Sequence, residues 1–182
     1  SDIVECDCTP RQPKRPSDLA DFIAEQDVIY VGGGDTANLL VLWRRHGLDV
    51  LLRRAWSHGA VLAGVSAGML CWFNGGVTDS FGELEPLNDG LGLIDATACP
   101  HYDGESERRP TYQRVVANGM QAGYAADDGA ALHFCGTDLA EVVSSRPQAC
   151  AYRVELIGAR VMETPLPVRF LGAEDPTSLD GA

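Results

Sequence analysis

The segment AVLAGVSAGML (60–70) constrains this chain more than any other. Its first six residues are continuously apolar, which suits a central parallel strand buried on both faces. That run leads directly into Gly64-x-Ser66-x-Gly68, ahead of an apolar helix start. Small residues on either side of a serine let the backbone make a sharp strand-to-helix turn without clashes. Ser66 would then project from the carboxyl end of the strand. The helix N-terminus beyond it offers free N–H groups to an oxyanion, with Ala67 as the first donor. The same glycines would also serve a turn that packs a helix closely on a sheet, so the pattern takes its meaning from its surroundings.

Upstream, DVIYV (27–31) is a short run of β-formers that stops at Gly32-Gly33-Gly34. A helix is predicted from Thr36, with Leu39, Leu40, Leu42 and Trp43 on its apolar face and Gly47 as its stop. Another covers roughly 49–58, with Gly59 just beyond. Ser17 is placed to cap a first helix from Asp18 that presents Leu19, Phe22 and Ile23. Strand, helix, helix, strand, helix is an α/β order. The triple glycine has neither a following Lys nor the G-x-G-x-x-G spacing, which argues against a phosphate loop. Its better role is to cross the top of the sheet beside the elbow, where Gly33 or Gly34 can turn an N–H toward the oxyanion. Asp35 and Thr36 would cap the next helix or touch a substrate terminus.

From Cys71 to LGLI (91–94) the chain is rich in Gly, Asp and Asn and reads as loop with at most one short strand. A helix is predicted over 109–118, and strands over 130–134, 140–145 and 151–157. The intervening turn signals Asp128-Gly129 and Arg146-Pro147 suggest an antiparallel meander at the sheet edge. The stretch before Pro16 reads as an edge strand and loop, and 172–182 as a frayed tail. A length of 182 residues with 45% apolar content fits one domain, 1–182. No apolar run is long enough to span a bilayer, and the start lacks a secretory pattern, so a cytoplasmic location is expected. A formal charge of −12 argues against nucleic acid as partner. The six cysteines show no C-x-x-C pair, which favours reduced thiols and no metal or other cofactor.

CPHYD (99–103) supplies the remaining chemistry. Pro100 favours extended backbone just ahead of His101, and a strand-end histidine downstream of the elbow is what a Ser–His couple requires. His46 and His58 fall at helix ends, where a cation on the dipole explains them. His133 falls inside a predicted strand as a core or face residue.

These segments, in order with the Arg-rich helix and GYAADDGAAL (123–132), resemble the peptidase E family of aspartyl dipeptidases. The resemblance implies the class I glutamine-amidotransferase-like fold: a mainly parallel sheet with flanking helices. It also implies metal-free hydrolysis of small peptides with N-terminal aspartate, and is compatible with a homo-oligomer. By position, Ser66 resembles the nucleophile and His101 the base. The family's downstream acid before a glycine falls on Asp128, an aspartate where relatives carry glutamate; Asp127, Asp79 and Asp103 are alternatives. Arg109 resembles the arginine that receives the substrate's side-chain carboxylate, with Arg108 and Arg114 as neighbours able to take its place. Members usually begin with a β–α–β stretch that this sequence lacks. The same motifs would fit a cyanophycinase-like or acyl-peptide-cleaving hydrolase, or a catalytically idle binding protein. A glutamine amidotransferase proper would carry cysteine at position 66.

Overall fold

The computed structural model describes residues 16–172. The edge strand expected before Pro16, Cys6, Cys8 and the tail beyond 172 lie outside the described residues. Helix α1 (Pro16–Ala24) is followed by β1 (Val28–Val31), α2 (Thr36–His46), α3 (Leu48–Ser57), β2 (Val61–Gly64) and the single-turn α4 (Ala67–Leu70). Next come β3 (Phe73–Thr78), β4 (Glu85–Leu87), β5 (Ile94–Cys99), α5 (Arg108–Ala117) and β6 (Gly123–Ala126). The chain continues through β7 (Ala130–Cys135), β8 (Asp138–Ser144), β9 (Ala151–Ile157), β10 (Arg160–Pro165) and β11 (Val168–Phe170). Helix α1 begins at Pro16, ahead of the expected start; proline is suited to a first helical turn because its missing N–H would go unbonded there anyway. No helix among the described residues is long and apolar enough to cross a membrane.

The architecture is α/β, with three sheets among the described residues. A six-stranded mixed sheet runs β10-β9-β6-β5-β3-β4, a three-stranded one β11-β8-β7, and β1 and β2 form a parallel pair. Strands β3, β5 and β6 are parallel neighbours, and β9 and β10 extend the sheet in antiparallel sense. The C-terminal strands therefore do not form one meander: β7 and β8 leave as a hairpin into the smaller sheet.

Two expectations need correction. Among the described residues, strand β2 lies at an edge and is not buried on both faces. There it pairs only with β1, and Val61 is exposed along with Val28 and Tyr30 of β1. The stretch after Cys71 is not loop: FNGGVT is the nearly fully buried β3. Its glycines are there because backbone passes too close for a side chain. A Cβ at Gly75 would stand 2.0 Å from Leu87 O, and one at Gly76 would stand 1.9 Å from Ala98 O.

Asp35 caps α2, accepting the Asn38 N–H at 2.9 Å, and Gly47 ends it in the left-handed region with φ 71°. Leu40, Leu52, Leu70, Trp72 and Phe73 form the core that joins α2, α3 and the β1–β2 pair to the large sheet. Trp43 packs on Trp72 with ring centroids 5.8 Å apart. A second core under α5 contains Tyr102, Tyr112, Val116 and Val154.

Another tight crossing lies at the β2–α4 junction, where a Cβ on Gly68 would stand 2.0 Å from Val31 O. Since only backbone is there to give way, Gly68→Ala should destabilise the fold by about 1–3 kcal/mol or more. Gly32→Ala, which meets nothing within 4 Å, should stay within about 0.5 kcal/mol. Urea unfolding midpoints check this; equal effects from the two variants would show that the crossing is looser than described.

Candidate active site

Ser66 sits between β2 and α4 with φ 58° and ψ −117°. This backbone conformation is costly for a residue with a Cβ and persists only where neighbours hold it. Here they do: Val65 N–H donates to Val31 O at 3.1 Å, Gly68 N–H to Val65 O at 2.9 Å, and Met69 N–H to Ser66 O at 3.0 Å. Gly33 faces the serine so closely that a Cβ there would lie 3.3 Å from Ser66 Cβ. Among the described residues the N–H groups of Gly33, Gly34 and Ala67 have no backbone acceptor, so they are free to donate to a ligand beside Ser66.

Among the described residues, Ser66 and His101 are the only non-glycine positions with positive φ, His101 at 57°. His101 follows β5 through Pro100, and its imidazole is mostly buried. Its Nδ1 lies 2.6 Å from Asp128 Oδ1. With Nδ1 so engaged, Nε2 is the nitrogen left to exchange a proton with a hydroxyl. Ser66 Oγ makes no hydrogen bond among the described residues. An unligated relay often closes only around its substrate.

Asp128 follows β6 in a turn completed by Gly129 at φ 85°. Gly104 presses on its carboxylate, since a Cβ there would stand 2.3 Å from Asp128 Oδ2. The alternative acids are otherwise engaged. Asp127 turns inward, its Oδ2 accepting the Cys150 N–H at 2.9 Å, and burial pushes its carboxyl above the usual range. Asp103 accepts the Asp128 N–H at 2.8 Å and pairs with Arg146. Asp79 is largely exposed, 3.6 Å from Arg108 Nη2.

Thr36 is buried, its hydroxyl 3.4 Å from that of Thr78, while Asp35 is committed to its cap. Arg108 is also buried, bonded to Glu105 at 2.7 Å and to Val77 O at 3.2 Å, and so ties α5 to β3. Arg114 is exposed.

Arg109 lies over the rings of Tyr102 and Tyr152, 5.2 and 5.1 Å from their centroids, and pairs with Glu163 of β10. Glu163 also accepts from the Tyr102 hydroxyl at 2.5 Å and from Gln113 at 2.8 Å. Burial works against its charge, but these donors prevail and hold its carboxyl below the usual range. Glu163 was not singled out from the sequence because β10 was not expected. Gly158, between two runs of alternating character, is the turn signal that would have revealed the β9–β10 hairpin.

The cysteines with described structure are free, and burial pushes Cys99 up to about 12. Among the described residues no three His, Cys, Asp or Glu side chains gather as metal ligands.

Comparison with known proteins bears on the family and the fold. A model of peptidase family S51 matches residues 3–142. The chain is 54% identical over 171 residues to the uncharacterized peptidase YgaJ of Bacillus subtilis, covering 91% of this chain and 74% of that protein. It is 30% identical over 127 residues to peptidase E of Pasteurella multocida, covering 64% of this chain but only 54% of that one. A solved structure of a candidate peptidase E protein from Listeria monocytogenes EGD-e superposes with a TM-score of 0.52 at 22% identity, over 85% of this chain and 67% of that chain. That likeness shows the fold. With the family match running from the N-terminal region through the elbow, the histidine and the Asp128 turn, the chain belongs to peptidase family S51.

Proposed function

We propose that this chain is a cytoplasmic serine peptidase that hydrolyses small peptides, most readily dipeptides with an N-terminal aspartate. One observation carries the reading: the two strained non-glycine residues are a serine at an elbow and a histidine held 2.6 Å from an aspartate. In this mechanism Ser66 Oγ attacks the scissile carbonyl carbon while His101 Nε2 takes its proton, and Asp128 stabilises the imidazolium through Nδ1–H. The carbonyl oxygen gathers negative charge and is met by the N–H of Ala67 and by that of Gly33 or Gly34. Collapse breaks the C–N bond as His101 returns the proton to the leaving amine. Water then attacks the acyl-serine with the same histidine as base, releasing the acid and restoring Ser66.

Arg109 is the proposed receiver of the substrate's side-chain carboxylate. Glu163 occupies its Nε and Nη2 side, leaving Nη1 free among the described residues. Two tyrosine rings and Glu163 hold the guanidinium in place, so little side-chain freedom is lost on binding. Glu163 also offsets part of its charge, which makes the preference for aspartate modest. A second reading is an idle scaffold, favoured by the Ser66 hydroxyl having no bond to His101. The assay below separates the two.

Asp-Leu, Glu-Leu, Asn-Leu and Ala-Leu should be offered to the wild type, Ser66→Ala and Arg109→Ala. The wild type should prefer Asp-Leu, and Ser66→Ala should lose all turnover while keeping its circular dichroism spectrum. Because Arg109 is half exposed, its truncation should lower kcat/KM for Asp-Leu by about tenfold and leave Ala-Leu nearly unchanged. Turnover by folded Ser66→Ala would remove the serine mechanism, and a wild type without preference for Asp would remove the aspartyl specificity. No turnover of any peptide would favour the idle scaffold.

Asp128→Asn should keep the fold and lower kcat by about 10²–10⁴-fold, because it favours the wrong imidazole tautomer. Asp79→Asn should cost far less. If Asp79→Asn were the crippling change, Asp128 would not be the acid that serves His101.

A further inference from the structure

The turn carrying Asp128 is held from two sides. On one, the loop after β5 binds it: Tyr102 N–H donates to Ala126 O at 3.1 Å, and Asp103 Oδ1 accepts the N–H of Asp128 at 2.8 Å. On the other, the loop between β8 and β9 binds it: Asp127 N–H donates to Cys150 O at 3.0 Å, and Ser145 N–H donates to Gly129 O at 2.8 Å. Arg146 joins the two loops. Its Nη2 donates to Asp103 Oδ2 at 2.5 Å, and its stem flanks the turn, where a Cβ on Gly129 would lie 3.0 Å from Arg146 Cγ.

This clamp answers a physical need. The Asp128 side chain is 44% exposed, and an exposed carboxylate with free rotamers gains little from a neighbouring imidazole. Holding the backbone on which that carboxylate is mounted, with Gly104 pressed against its outer oxygen, restricts it to the face of His101. Asp103 can do this only while ionised and fixed. Burial opposes its charge, but the Asp128 N–H and Arg146 outweigh burial and hold its carboxyl below the usual range.

We infer that Asp103 and Arg146 are a positioning pair: Arg146 fixes the Asp103 carboxylate, Asp103 fixes the Asp128 backbone, and the Asp128 carboxylate is thereby held on His101 Nδ1. Asp103, two residues after His101, thus supports the acid of the relay and does not replace it. The inference rests on the serine-peptidase reading for its consequence in catalysis, but its geometric core does not need turnover.

The test follows the His101 Nδ1–H resonance in ¹⁵N-histidine-labelled protein, assigned by its loss in His101→Asn, together with kcat and KM. Asp103→Ala should broaden or abolish the resonance and lower kcat by about 10–100-fold, with KM changed less than about twofold. Arg146→Met should weaken the resonance and lower kcat in the same direction, and Arg146→Lys should recover part of both. An unchanged resonance in Asp103→Ala or Arg146→Met, under conditions where Asp128→Asn removes it, would overturn the inference. If Asp103→Ala failed to fold, Arg146→Met would decide by the same signal. If no peptide were turned over, the peptidase reading would fall while the resonance still decided the positioning.

Discussion

A backbone carbonyl stands at the centre of this site where a side chain would otherwise be. Val31 O lies 2.0 Å from where a Cβ on Gly68 would project, and Gly68 O lies 2.3 Å from where one on Gly64 would project. These contacts bring the end of β1, the triple-glycine loop and the elbow together as three layers of bare backbone. Ser66 lies between the two glycines of the elbow and carries a positive φ of 58°. The same stacking brings Gly33 against Ser66, and among the described residues the N–H groups of Gly33, Gly34 and Ala67 have no backbone acceptor. A methyl group added at Gly64 or Gly68 would meet this backbone.

The two halves of the site belong to different sheets. Ser66 rides on the β1–β2 pair, while His101 and Asp128 extend from β5 and β6 of the six-stranded sheet. No hydrogen-bonded ladder joins the two among the described residues; side chains do. The Leu40, Leu70 and Trp72 core lies on one side of the junction. On the other, hydroxyls link α2 to the end of β3: Thr78 Oγ1 lies 3.4 Å from Thr36 Oγ1 and 2.8 Å from Ser80 Oγ, and Ser80 Oγ accepts the Ala37 N–H at 3.2 Å. The approach of Ser66 to His101 is therefore set by side-chain packing, which adjusts more readily than a strand ladder.

Features governed by local chemistry were legible in the sequence. The elbow, the α2 cap at Asp35 and stop at Gly47, and the placement of Asp128 in a Gly-terminated turn downstream of His101 all depend on a few adjacent residues. Features governed by distant backbone were not. Gly75 and Gly76 look like loop residues, yet they are strand residues because Leu87 and Ala98 pass against them. AVLAGV looks like a central strand, yet among the described residues β1 is its only partner. The partners of Asp103 and Arg109, namely Arg146 and Glu163, come from segments far along the chain, and no spacing rule connects them.

The central claim is that this backbone stack presents Ser66 as a nucleophile that His101 can deprotonate. A serine-directed fluorophosphonate followed by peptide mass mapping tests it most directly, because labelling needs no knowledge of the substrate. The account predicts one phosphonyl adduct, on Ser66, formed by the wild type and strongly slowed in His101→Ala. An adduct on another residue, none at all, or labelling of Ser66 indifferent to His101 would contradict it.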